Sequence, residues 1–206
     1  MNKLKNNSIA VIILAGGQSS RMGTDKALIT ISGIPLLQKI STVAVKCVEE
    51  VYIVTPRPER YQHIVPEGCD FIREVSSKEP NFPRGPLVGF ARGLAKVNTE
   101  WVLLLACDLT FLNEYYLQQS IKYLAKIPSE AIAAIPRSSR GWEPLCGFYR
   151  SSCAKFLPDF IASGGRSFQS WLVKYQVCEL PLADPKILFN CNTPQDLEKV
   201  NRWQNF

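Results

Sequence analysis

Ile9-Ala10-Val11-Ile12-Ile13-Leu14-Ala15-Gly16-Gly17-Gln18-Ser19-Ser20-Arg21-Met22-Gly23-Thr24-Asp25-Lys26 is the stretch that decides the reading of this chain. Its first part is a β-branched apolar run, which predicts a buried strand. The strand ends in two glycines. With no Cβ in the way, backbone N–H groups there can approach a ligand closely, and successive exposed N–H groups form an anion-binding concavity. Arg21 adds a planar fork for phosphate oxygens, and Lys26 a mobile point charge. Gly23 allows a second tight turn before Lys26. The loop reads as a polyphosphate cradle at the end of a buried strand.

The spacing excludes two commoner phosphate loops. A G-x-x-x-x-G-K-[ST] loop fails because Gly17 and Gly23 stand one residue too far apart and Thr24-Asp25 precede the lysine. The dinucleotide fingerprint G-x-G-x-x-G fails because Gly16 and Gly17 are adjacent. The plain alternative is a glycine-rich βα turn with two solvated cations. It suits an isolated Gly-Gly better than this cluster of glycines and cations.

Outward from this loop, strand-like and helix-like segments alternate. Strands are expected at Ile9–Leu14, Val51–Thr55, Asp70–Glu74, Trp101–Cys107, Ala131–Pro136, Pro144–Tyr149 and Gln176–Leu180. Trp101–Cys107 is the most hydrophobic and is expected at the centre. Helices are expected at Pro35–Val48, Pro86–Val97, Asn113–Ala125, Ser151–Ala162, Ser167–Tyr175 and Thr193–Trp203. The first has apolar residues at helical spacing, and the second carries proline in its first turn. Such alternation predicts an α/β fold: a three-layer α/β/α sandwich on a mostly parallel, Rossmann-like sheet. Ligands then bind outside the carboxyl ends of the strands. The Gly16 loop, Glu74 and Asp108 all follow strands, so one cleft can gather them.

Composition bounds the function. The 206 residues suit a single domain spanning 1–206, with 1–7 expected as a flexible N-terminus. The apolar fraction of 46% can build a sizeable core. The longest apolar runs are far too short to span a bilayer, and no small-residue cleavage site follows the N-terminal lysines, which argues against a signal peptide. The seven cysteines form no C-x-x-C pair and lie mostly in apolar runs, which points to a reducing, cytoplasmic setting. His63 is the single histidine, so a clustered zinc site is not expected, and no histidine stands beside Cys107 or Cys146 to activate a thiol. The net charge of +6 is spread without long basic runs or interleaved aromatics, which favours a phosphorylated small molecule over nucleic acid.

Asp108 ends the run Val102–Cys107. A carboxylate at the tip of a buried strand is poorly solvated unless paired or metal-bound. Magnesium takes one or two carboxylates plus phosphate oxygens and waters, which makes Asp108 the candidate Mg²⁺ ligand; the alternative is an ordinary turn aspartate. Arg84 precedes Gly85-Pro86 and is either a phosphate contact at a helix start or a solvated cation. Asn192 or Thr193 is a candidate cap of the last helix, with Pro194 and Asp196 in its first turn.

Leu14-Ala15-Gly16-Gly17-x3-Arg21-Met22-Gly23-x-Asp25-Lys26 resembles the signature loop of nucleotidyltransferases that activate sugars, alditols and cofactors. Gly85-Pro86-Leu87-x-Gly89, Cys107-Asp108 and Asn190-Cys191-Asn192-Thr193-Pro194 resemble, within that superfamily, the molybdenum cofactor guanylyltransferases. The match runs from about Ile9 to Trp203. It implies a sheet of the nucleotide-diphospho-sugar transferase type and transfer of GMP from Mg-GTP to molybdopterin-type cofactor, with release of pyrophosphate. It implies Arg21, Lys26 and Asp108 as the catalytic set. Leu14, Ala15, Gly16, Gly17, Lys26, Thr55, Glu74 and Asp108 are implied around the nucleotide, and Asn190 and Asn192 around the second substrate. Trp142-Glu143-Pro144-Leu145 resembles the segment facing that substrate, although core or rim packing is the stronger reading of Trp142 itself. Cofactor-delivery proteins and acceptor molybdoenzymes are the implied protein partners. Two departures stand out: Thr110 sits where relatives often have proline, and Val54-Thr55-Pro56 where many carry asparagines. Base choice has no side-chain signature if backbone groups of Leu14–Gly16 read it. A cytidylyltransferase for the same cofactor, a sugar-phosphate nucleotidyltransferase and a silent nucleotide sensor therefore stay as alternatives.

Overall fold

The structure, a computed structural model, describes residues 9–16, 25–74 and 85–204. Eleven strands follow in chain order: β1 (Ile9–Leu14), β2 (Thr30–Ile31), β3 (Ile34–Pro35), β4 (Glu50–Thr55), β5 (Cys69–Arg73), β6 (Trp101–Ala106), β7 (Ala133–Ile135), β8 (Arg137–Ser138), β9 (Gly141–Trp142), β10 (Cys146–Arg150) and β11 (Val177–Glu179). Seven of them form one sheet in the order β11-β7-β10-β6-β1-β4-β5. All neighbours are parallel except β10, which runs antiparallel to both β6 and β7. β6 is the middle strand, as its hydrophobicity predicts.

The strand sequences explain the layers. In β1, Ile9, Val11 and Ile13 face one side while Ala10 and Ile12 face the other. In β6, Leu103 and Leu105 alternate with Val102 and Leu104 in the same way. Strands buried on both faces read as unbroken apolar runs, and each buried Ile or Leu contributes about 1.5–3 kcal/mol. Helices α1 (Leu36–Val45) and α3 (Glu114–Tyr123) cover the first face. Helices α2 (Pro86–Leu94), α4 (Leu157–Ala162) and α5 (Phe168–Leu172) cover the second. Helix α2 presses closely on β1: a Cβ on Gly93 would lie 2.6 Å from Ile12 Cδ1. The closing helix α6 (Pro194–Gln204) seals a smaller cluster, where Val200 meets Ile31, Leu36 and Cys191.

Several expectations shift in detail. The helix expected over Ser151–Ala162 is broken into a 3-10 stretch, Ser151–Lys155, and α4. Pro158 is the reason: in a continuous helix its ring would clash with the preceding turn, whereas in the first turn of α4 it is tolerated. The hairpins β2–β3 and β8–β9 are too short for a periodic signal. The first turns on Ser32 (φ 52°) and Gly33 (φ 79°), the pair of positive φ values that a two-residue hairpin turn demands. The expectation for residues 1–7 lies outside the described residues. Among those described, no helix is long and apolar enough to cross a membrane.

A candidate nucleotidyl-transfer site

The carboxyl ends of β1, β4 and β6 open onto a cleft with two compartments. The first, about 210 Å³, is bounded by Leu14–Gly16, Glu74, the start of α2 and Asp108. The second, about 330 Å³, is bounded by Glu143, Pro144, Asn190 and Asn192. Lys26, Ala106, Asp108 and Leu145 line both, so the compartments meet at the Lys26–Asp108 pair.

Asp108 arrives on the turn after β6. Its Oδ2 lies 3.3 Å from Lys26 Nζ, while its buried Oδ1 has no hydrogen-bond partner among the described residues. Burial raises its carboxyl above the ordinary aspartate range, and Lys26 pulls in the opposite direction without cancelling the shift. A buried carboxylate with one orphaned oxygen, opening onto a space for phosphates, fits a magnesium ion that draws its other ligands from phosphate and water. Among the described residues no group of three or more His, Cys, Asp and Glu is placed to hold a metal.

The backbone around Asp108 brings in the C-terminal asparagines. Its carbonyl accepts the Cys191 N–H at 3.1 Å, and Leu109 bridges to Asn190. The Thr110 N–H and hydroxyl both donate to the Phe189 carbonyl, at 3.4 and 3.3 Å. A proline at position 110 would supply neither bond, so the departure from the family pattern adds stitching at this turn. Asn192 Oδ1 accepts a hydrogen bond from Lys26, and Asn190 Nδ2 donates to the Leu188 carbonyl at 3.4 Å. Thr193, not Asn192, caps α6. Its Oγ1 accepts the Asp196 N–H at 3.1 Å, and Asp196 Oδ2 accepts the N–H groups of Thr193 and Asn192 at 3.0 and 3.1 Å. This reciprocal box leaves the Asn192 side chain to face Lys26.

Lys26 opens a one-turn 3-10 helix capped by Asp25, whose Oδ1 accepts the Ala27 N–H at 3.2 Å. The other Asp25 oxygen accepts the Tyr61 hydroxyl at 2.6 Å and sits 3.1 Å from Arg60. Nothing in the sequence flagged Tyr61. It lies 36 positions beyond Asp25 with no motif of its own, and only its place in a turn after β4 brings the two together.

The nucleotide-side expectations divide. Leu14, Ala15, Gly16, Lys26, Glu74 and Asp108 line the first compartment. Glu74 is half-buried, with its carboxyl raised by burial and countered by Arg92 at 4.0 Å. The Ala15 N–H is consumed by the Val54 carbonyl at 2.9 Å, so it continues the sheet and is not offered to a ligand. Gly16 is required by packing: a Cβ there would lie 2.5 Å from Pro56 Cδ. Thr55 is corrected. It is fully buried behind Gly16, and its hydroxyl accepts the Arg57 N–H at 3.3 Å without lining the cleft. Gly17, Arg21, Gly23 and Arg84 lie outside the described residues. Trp142 is half-buried against the second layer, under the Arg137 guanidinium. Burial holds the Cys146 thiol up at about 12 and that of Cys107 higher still, so neither is a ready nucleophile.

The architecture is that of α/β nucleotidyltransferases. It superposes on a molybdopterin-guanine dinucleotide biosynthesis protein A from Archaeoglobus fulgidus with a TM-score of 0.77, at 22% identity and covering 95% of this chain and 98% of that one. It also matches 2-C-methyl-D-erythritol 4-phosphate cytidylyltransferase from Thermus thermophilus, with a TM-score of 0.66 at 15% identity, covering 97% and 100%. Residues 11–177 match the MobA-like NTP transferase domain. A Nostoc protein named "probable molybdenum cofactor guanylyltransferase" is 56% identical over 194 residues, 94% of this chain and 91% of its own. A Pseudomonas putida molybdenum cofactor guanylyltransferase is 31% identical over 191 residues, 92% and 95% of the two chains. The chain belongs to the molybdenum cofactor guanylyltransferase family, within the MobA-like nucleotidyltransferases.

Proposed function

We propose that this protein transfers GMP from GTP to the terminal phosphate of molybdopterin-type molybdenum cofactor, forming the guanine dinucleotide cofactor and releasing pyrophosphate. One observation carries the reading: two compartments meet at a single Lys26–Asp108 pair, so two phosphorylated molecules can bring their phosphates to one point. The names of the family relatives support the choice of substrates.

The acceptor phosphate is already an anion, so no side-chain base is needed. Its oxygen attacks the α-phosphorus of GTP, the bond from that phosphorus to the α–β bridging oxygen breaks, and pyrophosphate leaves with the electron pair. Positioning and charge neutralisation then supply most of the catalysis. Lys26 stabilises the phosphate charge, joined by Arg21 from the signature loop. Glu74, Leu14 and Gly16 border the nucleotide, and Asn190 and Asn192 the acceptor. Asp108 would hold a magnesium ion, which when bound would neutralise phosphate charge. The reaction is placed in the cytoplasm, upstream of delivery to acceptor molybdoenzymes.

The test is pyrophosphate release by the purified protein with molybdopterin, Mg²⁺ and each nucleoside triphosphate in turn. Turnover with GTP is expected. Turnover with CTP alone would move the protein to the cytidylyltransferases. Thermal stabilisation by nucleotide with no turnover would make it a sensor.

A further inference from the structure

The second compartment does not end at Glu143. Glu143 and Leu188 also line a third hollow of about 570 Å³, between the β8–β9 hairpin and the segment Pro185–Phe189. Three spaces therefore run in series from the start of α2, past Lys26 and Asp108, to this outer hollow.

Its lining has a distinct chemistry. Arg137, Arg140 and Lys186 stand around it against one carboxylate, Glu143. Asp184, two positions before Lys186, turns its Oδ1 to the Lys186 N–H at 2.9 Å and lines a different hollow. The cations are placed by aromatic faces: Arg137 lies 5.3 Å over the Trp142 ring, and Lys186 lies 5.4 Å over the Trp203 ring. Glu143 Oε1 takes both the Ser138 hydroxyl, at 2.6 Å, and the Arg140 guanidinium, at 3.2 Å. Those bonds fix the carboxylate where the second compartment meets the outer hollow.

We propose that this hollow is the distal subsite of the acceptor. It takes the flat, nitrogen-rich ring end of a phosphorylated heteroaromatic molecule whose phosphate lies at Lys26 and Asp108. The proposal rests on the reading of the cleft given under Proposed function. A pterin ring offers a flat face for the planar guanidinium and indole groups, and an amino-pyrimidine edge whose N–H donors suit a fixed carboxylate. The excess of cations favours an anionic acceptor and guides it to the cleft.

The test compares wild-type protein with Lys186→Met, which keeps an apolar stem over Trp203, and with Arg137→Gln. The acceptor is molybdopterin, varied at saturating GTP, and GTP-induced thermal stabilisation is measured without acceptor. Each variant should raise the KM for molybdopterin about tenfold, the effect of losing one charged contact, while kcat stays within about twofold and the GTP-induced shift matches wild type. Variants that melt like wild type with an unchanged acceptor KM would overturn the subsite and leave the proposed reaction standing. A loss of the GTP-induced shift or of melting temperature would mark these residues as structural and also overturn it. Wild-type protein that releases no pyrophosphate with molybdopterin would defeat both readings together.

Discussion

Lys26 Nζ stands 3.3 Å from Asp108 Oδ2 and also donates to Asn192 Oδ1, so one cation joins residues 82 and 166 positions away in the chain. Three elements meet there: the 3-10 turn after the signature loop, the turn after β6 and the entry to α6. The lysine is only about a quarter exposed and Asp108 less, so the pair is screened weakly by water. Even so, the attraction does not offset the burial of Asp108, whose carboxyl stays raised. Among the described residues, Asp108 Oδ1 has no hydrogen-bond partner.

That imbalance predicts opposite effects on activity and stability. Asp108→Asn should lower kcat/KM for pyrophosphate release by about 10²–10³-fold, the cost of losing one preorganised charge contact. Its melting temperature without ligands should not fall, because burial already disfavours the charged carboxyl and the neutral isostere escapes that penalty. Calorimetry beside the kinetic assay checks both; near wild-type turnover would remove Asp108 from the site.

Asn192 and Thr193 are adjacent yet should separate cleanly. Thr193→Ala removes the cap oxygen of α6 and should cost about 0.5–2 kcal/mol of stability. Asn192→Ala leaves that cap intact and frees Lys26 from its amide partner. It should lower GMP transfer while changing the melting temperature little. The reverse pattern would return Asn192 to a capping role.

The sequence made the frame and the centre of the site legible for one physical reason: burial on both sheet faces forces unbroken apolar strands, and function sits at their ends. Ile9–Leu14 and Trp101–Ala106 carried that signal, and Lys26, Asp108, Asn190 and Asn192 line one compartment beyond those strand ends. Other features depend on distant partners. The antiparallel direction of β10 is decided by its pairing with β6, which composition does not encode. Thr55 looked available because it is polar and ends a strand, yet Pro56 and Gly16 fold over it. Gly16 itself reads as a phosphate-loop glycine, whereas its missing Cβ makes room for Pro56.

The buried thiols predict alkaline sensitivity. Burial raises Cys146 and Cys153 to about 12 and Cys191 to about 11, from an ordinary value of 9.0. The folded state therefore holds these protons to higher pH than the unfolded chain. Their contribution is complete below about pH 9 and is lost as pH rises from there through about 11 to 12, by up to about 1.4 kcal/mol per pH unit for each thiol. The melting temperature should be level to about pH 8.5 and fall beyond about pH 9. Iodoacetamide at about pH 8 should leave these three unlabelled until the protein unfolds. Prompt labelling of Cys146 in the native protein would contradict the burial.

Tyr61 is predicted to hold Lys26 in place through Asp25. Its ring is 1% exposed, and its hydroxyl reaches Asp25 Oδ2 at 2.6 Å, so a core side chain fixes the residue that caps the Lys26 turn. Arg60 touches the same oxygen at 3.1 Å but is about one-third exposed, where an ion pair contributes little. Tyr61→Phe keeps the packed ring and removes one hydrogen bond to a charged group, a loss of about 1.5–3 kcal/mol. The turn should loosen, and kcat should fall about tenfold as Lys26 spends less time at the phosphates. Lys26→Ala in the Tyr61→Phe background should cost little more than Lys26→Ala alone, because both act through the same ammonium. Arg60→Ala should have a smaller effect than Tyr61→Phe on both kcat and melting temperature. If Arg60→Ala proves the more damaging, the exposed ion pair and not the buried hydroxyl anchors Asp25.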